Sequence, residues 1–398
     1  MSERRIIYLD NNSTTKVPTE VVNAMLPFFD EIYANSSSRH RFGFLAEQAI
    51  SKARKQVATL VGASYPEEIV FTSGATEAIN QVIKAVLPEN TKRRHIVTCQ
   101  TEHKAILDVC AYAEKVLGYR VTYLPVKDNG LIDLDVLADV LSEDVALVAV
   151  MYVNNETGVI QPIQKIAEMS HRVGAICFSD YTQALGKVPV NLSQDGVDIA
   201  CFNAHKFHGP KGVGGIWCTS KVQDGMRLRI SPLLHGGGHE KGKRSGTLNV
   251  PAIVGMGVAA EIAFLEMESN IKKMEYLRNF FEDKIKKSID GVKINSETAP
   301  RVCNTSNITI NAIDSEALIA ALCPEDEGAP WVVISNGSAC SSHTIEPSYV
   351  LRAMGLSEDD AAGSIRVSLS KFTTEEEIDI AVDRISFAVK ELRELAAL

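Results

Sequence analysis

Short apolar runs alternate with helical patterns along the first two-thirds of the chain. Glu68–Thr72 (EIVFT) predicts a strand, closed by Ser73–Gly74 and followed by a helix over Ala75–Lys84. His95–Cys99 and Val121–Leu124 predict short strands on either side of a helix over Lys104–Leu117. Ala146–Val153 is the most apolar run, as expected of a strand buried on both faces. Ala175–Ser179, Ile199–Asn203 and, after a glycine-rich loop, Gly214–Cys218 complete the series. This alternation predicts the α/β class, with a largely parallel sheet under covering helices. Beyond residue 250 the texture changes. Helices over Ile253–Phe281, Asp314–Leu322 and Glu375–Leu395 surround strands such as Asn307–Ile310 and Ser364–Ser368, which predicts a second, smaller α+β domain.

Composition supports that division. A chain of 398 residues, 45% hydrophobic and 23% charged, has the mix of a soluble globular protein with room for two domains. The net charge of −9 gives no general attraction to nucleic acid, and no direct nucleic-acid binding is expected. The apolar run Val145–Val153 is far shorter than the roughly 20 residues that span a bilayer, and the opening MSERRIIYLD has no signal-peptide core, so a cytoplasmic protein without a membrane partner is expected. The cysteines at 99, 110, 177, 201, 218, 303, 323 and 340 form neither a CxxC pair nor a zinc spacing. Most should be small buried hydrophobes in a reducing compartment. Cys340, in the polar small-residue segment SNGSACSSH, is placed differently: it is either an exposed nucleophile on a loop or an incidental buried thiol.

Other segments carry candidate chemistry, each with a plain alternative. Lys206 follows a strand, within AHKFHGPKG, where open α/β sheets place ligands. It suits a Schiff-base amine, although a lone loop lysine is more often at the surface. Asp180 closes the preceding strand, and the pair could bracket a pyridine ring; a helix N-cap is the alternative for the acid. SGATE at 73–77 places a glycine turn and the Thr76 hydroxyl at a helix start, a phosphate cradle or an ordinary cap. HGGGHEKGKRSGT at 235–247 could hold an anion, pack on a partner subunit or serve as a structural turn. A metal site built from Cys201, His205, His208, His235 and His239 ranks below these, because it lacks an HExxH helix and a carboxylate at suitable spacing. Arg366, inside a strand, needs an anion: a substrate carboxylate or an internal salt bridge.

Taken in order, YLDNN at 8–12, SGATE, TEHKA at 101–105, VNNETG at 153–158, DYTQALGK at 180–187, AHKFHGPKG, the 235–247 loop, SNGSAC at 335–340, EPSYVLRAMGL at 346–356 and SIRVSLSKFTTEEEID at 364–379 resemble the pyridoxal-phosphate-dependent cysteine desulfurases of the NifS/IscS type. The resemblance implies the fold type I of pyridoxal-phosphate transferases. It implies a 1–15 arm associated with the small domain, a 16–262 domain with a mostly parallel seven-stranded sheet that binds the cofactor, and a 263–398 domain carrying a mobile cysteine loop at about 333–346. Lys206 would carry the Schiff-base link to pyridoxal 5'-phosphate, Asp180 would pair with the ring nitrogen and His103 would stack on the ring. Gln183 and Asn155 would meet the phenolic oxygen. Ala75, Thr76, Asn203 and His205 would bind the phosphate, with Thr247 reaching across from the other subunit of a homodimer. Arg366, with Asn155 and Asn12, would hold the substrate, L-cysteine. Cys340 would take its sulfur as a persulfide, aided by a base such as His103, leave L-alanine, and pass the sulfur to an acceptor protein of iron–sulfur assembly, tRNA thiolation or DNA phosphorothioation.

The chain departs from the family in two places. Asn203 stands where the family usually has a phosphate-binding serine, and the chain stops at Leu398 without the longer tail that docks the iron–sulfur scaffold in housekeeping relatives. A selenocysteine lyase or aminotransferase on the same fold is the nearest alternative. A sulfur carrier that has lost the cofactor is the other.

Overall fold

The computed structural model describes residues 5–220, 222–223, 226–325, 329–336 and 347–396. The first strand, β1 (Ile6–Tyr8), pairs in parallel with Trp331–Val333, so residues 6–8 lie against the C-terminal third of the chain. The central sheet contains β2 (Ile69–Thr72), β3 (His95–Cys99), β4 (Arg120–Leu124), β5 (Val145–Ala149), β6 (Ile176–Asp180), β7 (Ile199–Asn203) and β8 (Gly214–Cys218). Its seven strands lie in the order β2-β8-β7-β6-β5-β3-β4. Only β8 runs against its neighbours, β2 and β7. The carboxyl ends of β2, β3, β5, β6 and β7 therefore meet along one edge.

Side chains alternate across the sheet as strand geometry requires. On β7, Ala200 and Phe202 enter one apolar core and Ile199 and Cys201 the other. With helices on both faces, β3, β5 and β6 are buried throughout, hence runs such as VALVA. The apolar run after β5 continues to Val153, but the ladder stops at Ala149. Val150, Met151 and Val153 stay buried while the backbone turns along the sheet edge. The helix after β2 is regular over Ala75–Gln81, widens into a π-turn over Val82–Val86 and ends at Asn90.

The helix Val250–Ser288 has 39 residues and an 18-residue window of mean hydropathy 1.7, apolar enough by composition to cross a membrane. Here Ile253, Met256 and Ala260 are buried in the protein core. The close approach of this helix to Arg41–Val61 depends on Gly257, where a Cβ would lie 2.6 Å from the Ala53 Cα and Cβ. The smaller α+β unit contains an antiparallel sheet of Val292–Ile294, Thr305–Ile310 and Ser364–Ser368, with Thr305–Ile310 in the middle. The helices Ser315–Leu322 and Glu375–Ala396 belong to the same unit.

Candidate active site

A cavity of about 430 Å3 opens at the carboxyl edge of the sheet. Lys206 reaches it from a single 3-10 turn, Ala204–Lys206, directly after β7. Its Nζ donates to the Asn12 carbonyl at 2.5 Å and to the Ser13 carbonyl at 2.8 Å. Thr15 braces the same turn: its hydroxyl donates to the His205 carbonyl at 2.9 Å and accepts from the His208 N–H at 2.9 Å. The N-terminal segment thus positions the lysine, a role that its polar run NNSTT did not announce.

Asp180 ends β6 beside Cys201 of β7, and its Oδ1 accepts from the Thr182 N–H at 2.8 Å. His103 follows β3 and caps the helix Lys104–Leu117, its Nδ1 accepting from the Ala105 N–H at 3.1 Å. The neutral ring then carries its proton on Nε2. Burial holds the imidazole pKa below its ordinary value; Asp180 opposes this and the charge of Lys206 adds to it. Gln183 donates to the Asn12 carbonyl at 2.9 Å.

Another part of the cavity wall is the start of the helix Ala75–Gln81. Asn203 Oδ1 accepts from the Ala75 N–H at 2.8 Å, and a Cβ on Gly74 would lie 2.7 Å from that oxygen. Glycine at 74 lets the larger asparagine reach the helix start, leaving Nδ2 as its remaining donor group. Thr76 and His205 also line the cavity. His205 Nδ1 lies 3.2 Å from the Thr14 hydroxyl, and burial together with the charges of Lys206, Lys211 and Lys187 pushes its pKa down to about 4. Thr247 is exposed and is not part of this cavity wall.

Arg366 arrives from the strand Ser364–Ser368 and is 2% exposed. It donates to Asp10 Oδ1 at 2.6 Å, to the Ser13 hydroxyl at 2.8 Å and to the Asn155 carbonyl at 3.0 Å. The internal salt bridge therefore exists, yet the guanidinium Nε has no partner among the described residues. Asn12 donates to the Asn155 carbonyl at 3.1 Å and the Thr305 hydroxyl at 2.8 Å. Glu156 lines the same wall and accepts from the Ser348 hydroxyl at 2.5 Å. Sequence reading gave Glu156 and Lys187 no role beyond membership of the matched motifs. Cys340 lies outside the described residues. On one side of it Ser335 is bonded through its backbone to Arg366, and on the other Ser348 lines the cavity.

The donor set can be tested against pyridoxal phosphate. Among the described residues, three in the cavity wall keep a buried polar atom without a partner: Asn155 Oδ1, Thr182 Oγ1 and Arg366 Nε. An amine, an acid, an imidazole and a cluster of donors fit an aldehyde, a ring nitrogen, an aromatic face and a phosphate respectively.

Comparison with known proteins adds what the whole chain is similar to. Residues 7–380 match the aminotransferase class-V family. The cysteine desulfurase IscS of Rickettsia akari (strain Hartford) is 44% identical, with 98% of this chain and 93% of the relative aligned. Among solved structures, a NifS-like protein is 37% identical with a TM-score of 0.86, over 97% of this chain and 99% of that one. The structure of SspA in complex with cysteine is 31% identical with a TM-score of 0.77, over 92% and 99% of the two chains. Enzymes of this kind depend on pyridoxal 5'-phosphate. By sequence and by fold, the chain belongs to the class-V aminotransferase family, and within it to the cysteine desulfurases of the NifS and IscS type.

Proposed function

We propose that this cavity converts L-cysteine to L-alanine and delivers the sulfur to Cys340. The supporting observation is that Lys206 and Asp180, at adjacent strand ends, share one cavity with an arginine supplied by the C-terminal sheet. Lys206 would hold the cofactor at its aldehyde, Asp180 at the ring nitrogen and His103 against the ring face. Gln183 and Asn155 would serve the phenolic oxygen. Ala75, Thr76, His205 and the Asn203 Nδ2 would hold the phosphate. When bound, the cofactor supplies an electron sink that lets the carbon–sulfur bond of an attached cysteine break.

The residues of the chain do the rest. Arg366 binds the substrate carboxylate, with Asn12 and Asn155 beside it. Lys206 Nζ accepts the Cα proton and returns a proton to carbon. His103 offers Nε2–H as a hydrogen bond to the substrate sulfur and so orients it toward Cys340. The Cys340 thiolate attacks that sulfur. A sulfur–sulfur bond forms as the carbon–sulfur bond breaks, the electron pair stays with Cβ, and a proton completes alanine. No external oxidant is needed, and the persulfide passes to an acceptor protein. We place the reaction in the cytoplasm, where buried free thiols such as Cys177 and Cys201 persist. We also propose a homodimer, in which the exposed Thr247 completes the phosphate site of the neighbouring subunit.

The test is incubation of wild type and Cys340→Ser with L-cysteine, measuring alanine and protein-bound persulfide. Wild type should form both. Cys340→Ser should keep the visible absorbance of the cofactor and form neither. Unchanged alanine production by the variant would overturn the proposal in favour of an aminotransferase-like or lyase reaction that needs no cysteine on this segment.

A further inference from the structure

Lys187 lies four residues beyond Gln183 in the turns that follow β6 and is 7% exposed. Its Nζ donates to Gln183 Oε1 at 2.7 Å, while Gln183 Nε2 donates to the Asn12 carbonyl at 2.9 Å. These contacts allow only one orientation of the amide. A peptide carbonyl accepts and cannot donate, and a lysine ammonium donates and cannot accept. Turning the amide over would set Oε1 against a carbonyl oxygen and the NH2 group against the ammonium. The Asn12 carbonyl also accepts from Lys206 Nζ, so the two lysines stand at opposite ends of one hydrogen-bonded chain.

The burial of Lys187 is not what packing alone would select. The side chain borders a narrow, mostly apolar cleft shared with Leu185, Ile262 and Met274, where an apolar residue of similar length would be cheaper to bury. Burial and the charge of Lys206 push its pKa down to about 7. A group held at that cost must supply something a methionine cannot, and the hydrogen bond to Gln183 is such a contribution.

We propose that Lys187 is a positioning residue for the cofactor: it fixes the Gln183 amide with its NH2 toward the cavity, where the second N–H donates to the phenolic oxygen. Through that amide Lys187 sets how readily the oxygen holds negative charge. The proposal rests on the reading that the cofactor sits at Lys206 with its phenolic oxygen toward Gln183.

The test is a pH titration of the visible absorption band after reconstitution with pyridoxal phosphate. It compares wild type, Lys187→Met, Gln183→Ala and the double variant, with melting temperatures of the cofactor-free proteins measured in parallel. Losing the donor disfavours the deprotonated oxygen, so both single variants should move the midpoint upward by about half a pH unit or more. The double variant should move no further than Gln183→Ala, because Lys187 acts through that amide. Lys187→Gln, which keeps a donating amide, should shift less than Lys187→Met, and it carries the comparison if the methionine variant does not fold. Two results overturn the proposal: a changed melting temperature with an unchanged midpoint, or a Lys187→Met shift that persists in full without Gln183. A wild-type protein that develops no visible band overturns both this inference and the reading beneath it.

Discussion

Glu156 is walled off from water at 2% exposure. Burial lifts its pKa to about 7, although Ser348, Arg366 and Lys104 all favour the ionised form. The ordinary value is lower, so the unfolded chain ionises first as pH rises. Stability tied to this group is fully present below the ordinary carboxyl range and is lost as pH climbs through about 7. The penalty above that point is on the order of 3 kcal/mol. Glu156→Gln keeps an acceptor for Ser348 and removes the penalty. It should match wild type near pH 5 and exceed it in urea-unfolding stability near pH 8. Comparison at each pH cancels other titrating groups such as Lys187, and an equal offset at both pH values would count against the assignment. The same residues show what the sequence could convey about the site. Lys206 and Asp180 stood out as candidates because Asp180 ends one recognisable strand and Lys206 closely follows the next. Glu156 and Lys187 were not, because an acid or a lysine inside a polar run looks solvated until the fold buries it.

At the scale of elements, the 235–247 loop proves to be a brace. Glu240, its side chain 3% exposed, forms a bidentate pair with Arg54 at 2.6 and 2.8 Å and also accepts the Phe71 N–H at 2.9 Å. Arg54 in turn donates to the Ile69 carbonyl at 2.7 Å and stacks over the Phe71 ring, its Cζ 4.6 Å from the centroid. Farther along the loop, Arg244 pairs with Glu77 at 2.8 Å in the helix that begins the proposed phosphate site. Glu240→Ala would strand a guanidinium and a strand N–H together, so we expect a loss of about 3 kcal/mol in urea unfolding. Arg54→Met with Glu240→Leu should lose less than Glu240→Ala alone, because no charge is left unpaired. No spacing in the sequence announces this brace, whose partners lie far apart along the chain. Elements with marked ends were legible: His95–Cys99, Ile199–Asn203 and Ser364–Ser368 fall where the pattern placed them. The strand of Val145 was overextended because hydrophobicity reports burial, and Met151 and Val153 are buried without pairing in the sheet.

On the scale of the whole molecule, the cavity is made of distant parts of the chain. Residues 10–15 hold Lys206, Arg366 comes from the far C-terminal strand, and the large sheet supplies Asp180 and His103. One expected contributor stands apart, since Thr247 is exposed and does not line the cavity of its own subunit. The segment from Val22 to Tyr33 also leaves an apolar surface, with Leu26 54%, Phe29 62% and Tyr33 68% exposed. Both observations suit a second copy of the chain that covers apolar surface and lends its threonine, and the idea can be tested by complementation. Lys206→Ala lacks the amine proposed to hold the cofactor yet still carries Thr247; Thr247→Ala keeps that amine and lacks the hydroxyl proposed to be lent. Assayed alone at limiting cofactor, the first should be inactive and the second weakened. Mixed, partly dissociated and reassociated, they form heterodimers with one complete site, and random pairing should restore about a quarter of wild-type activity. Activity that stays at the average of the two separate variants would show that Thr247 serves its own subunit or none.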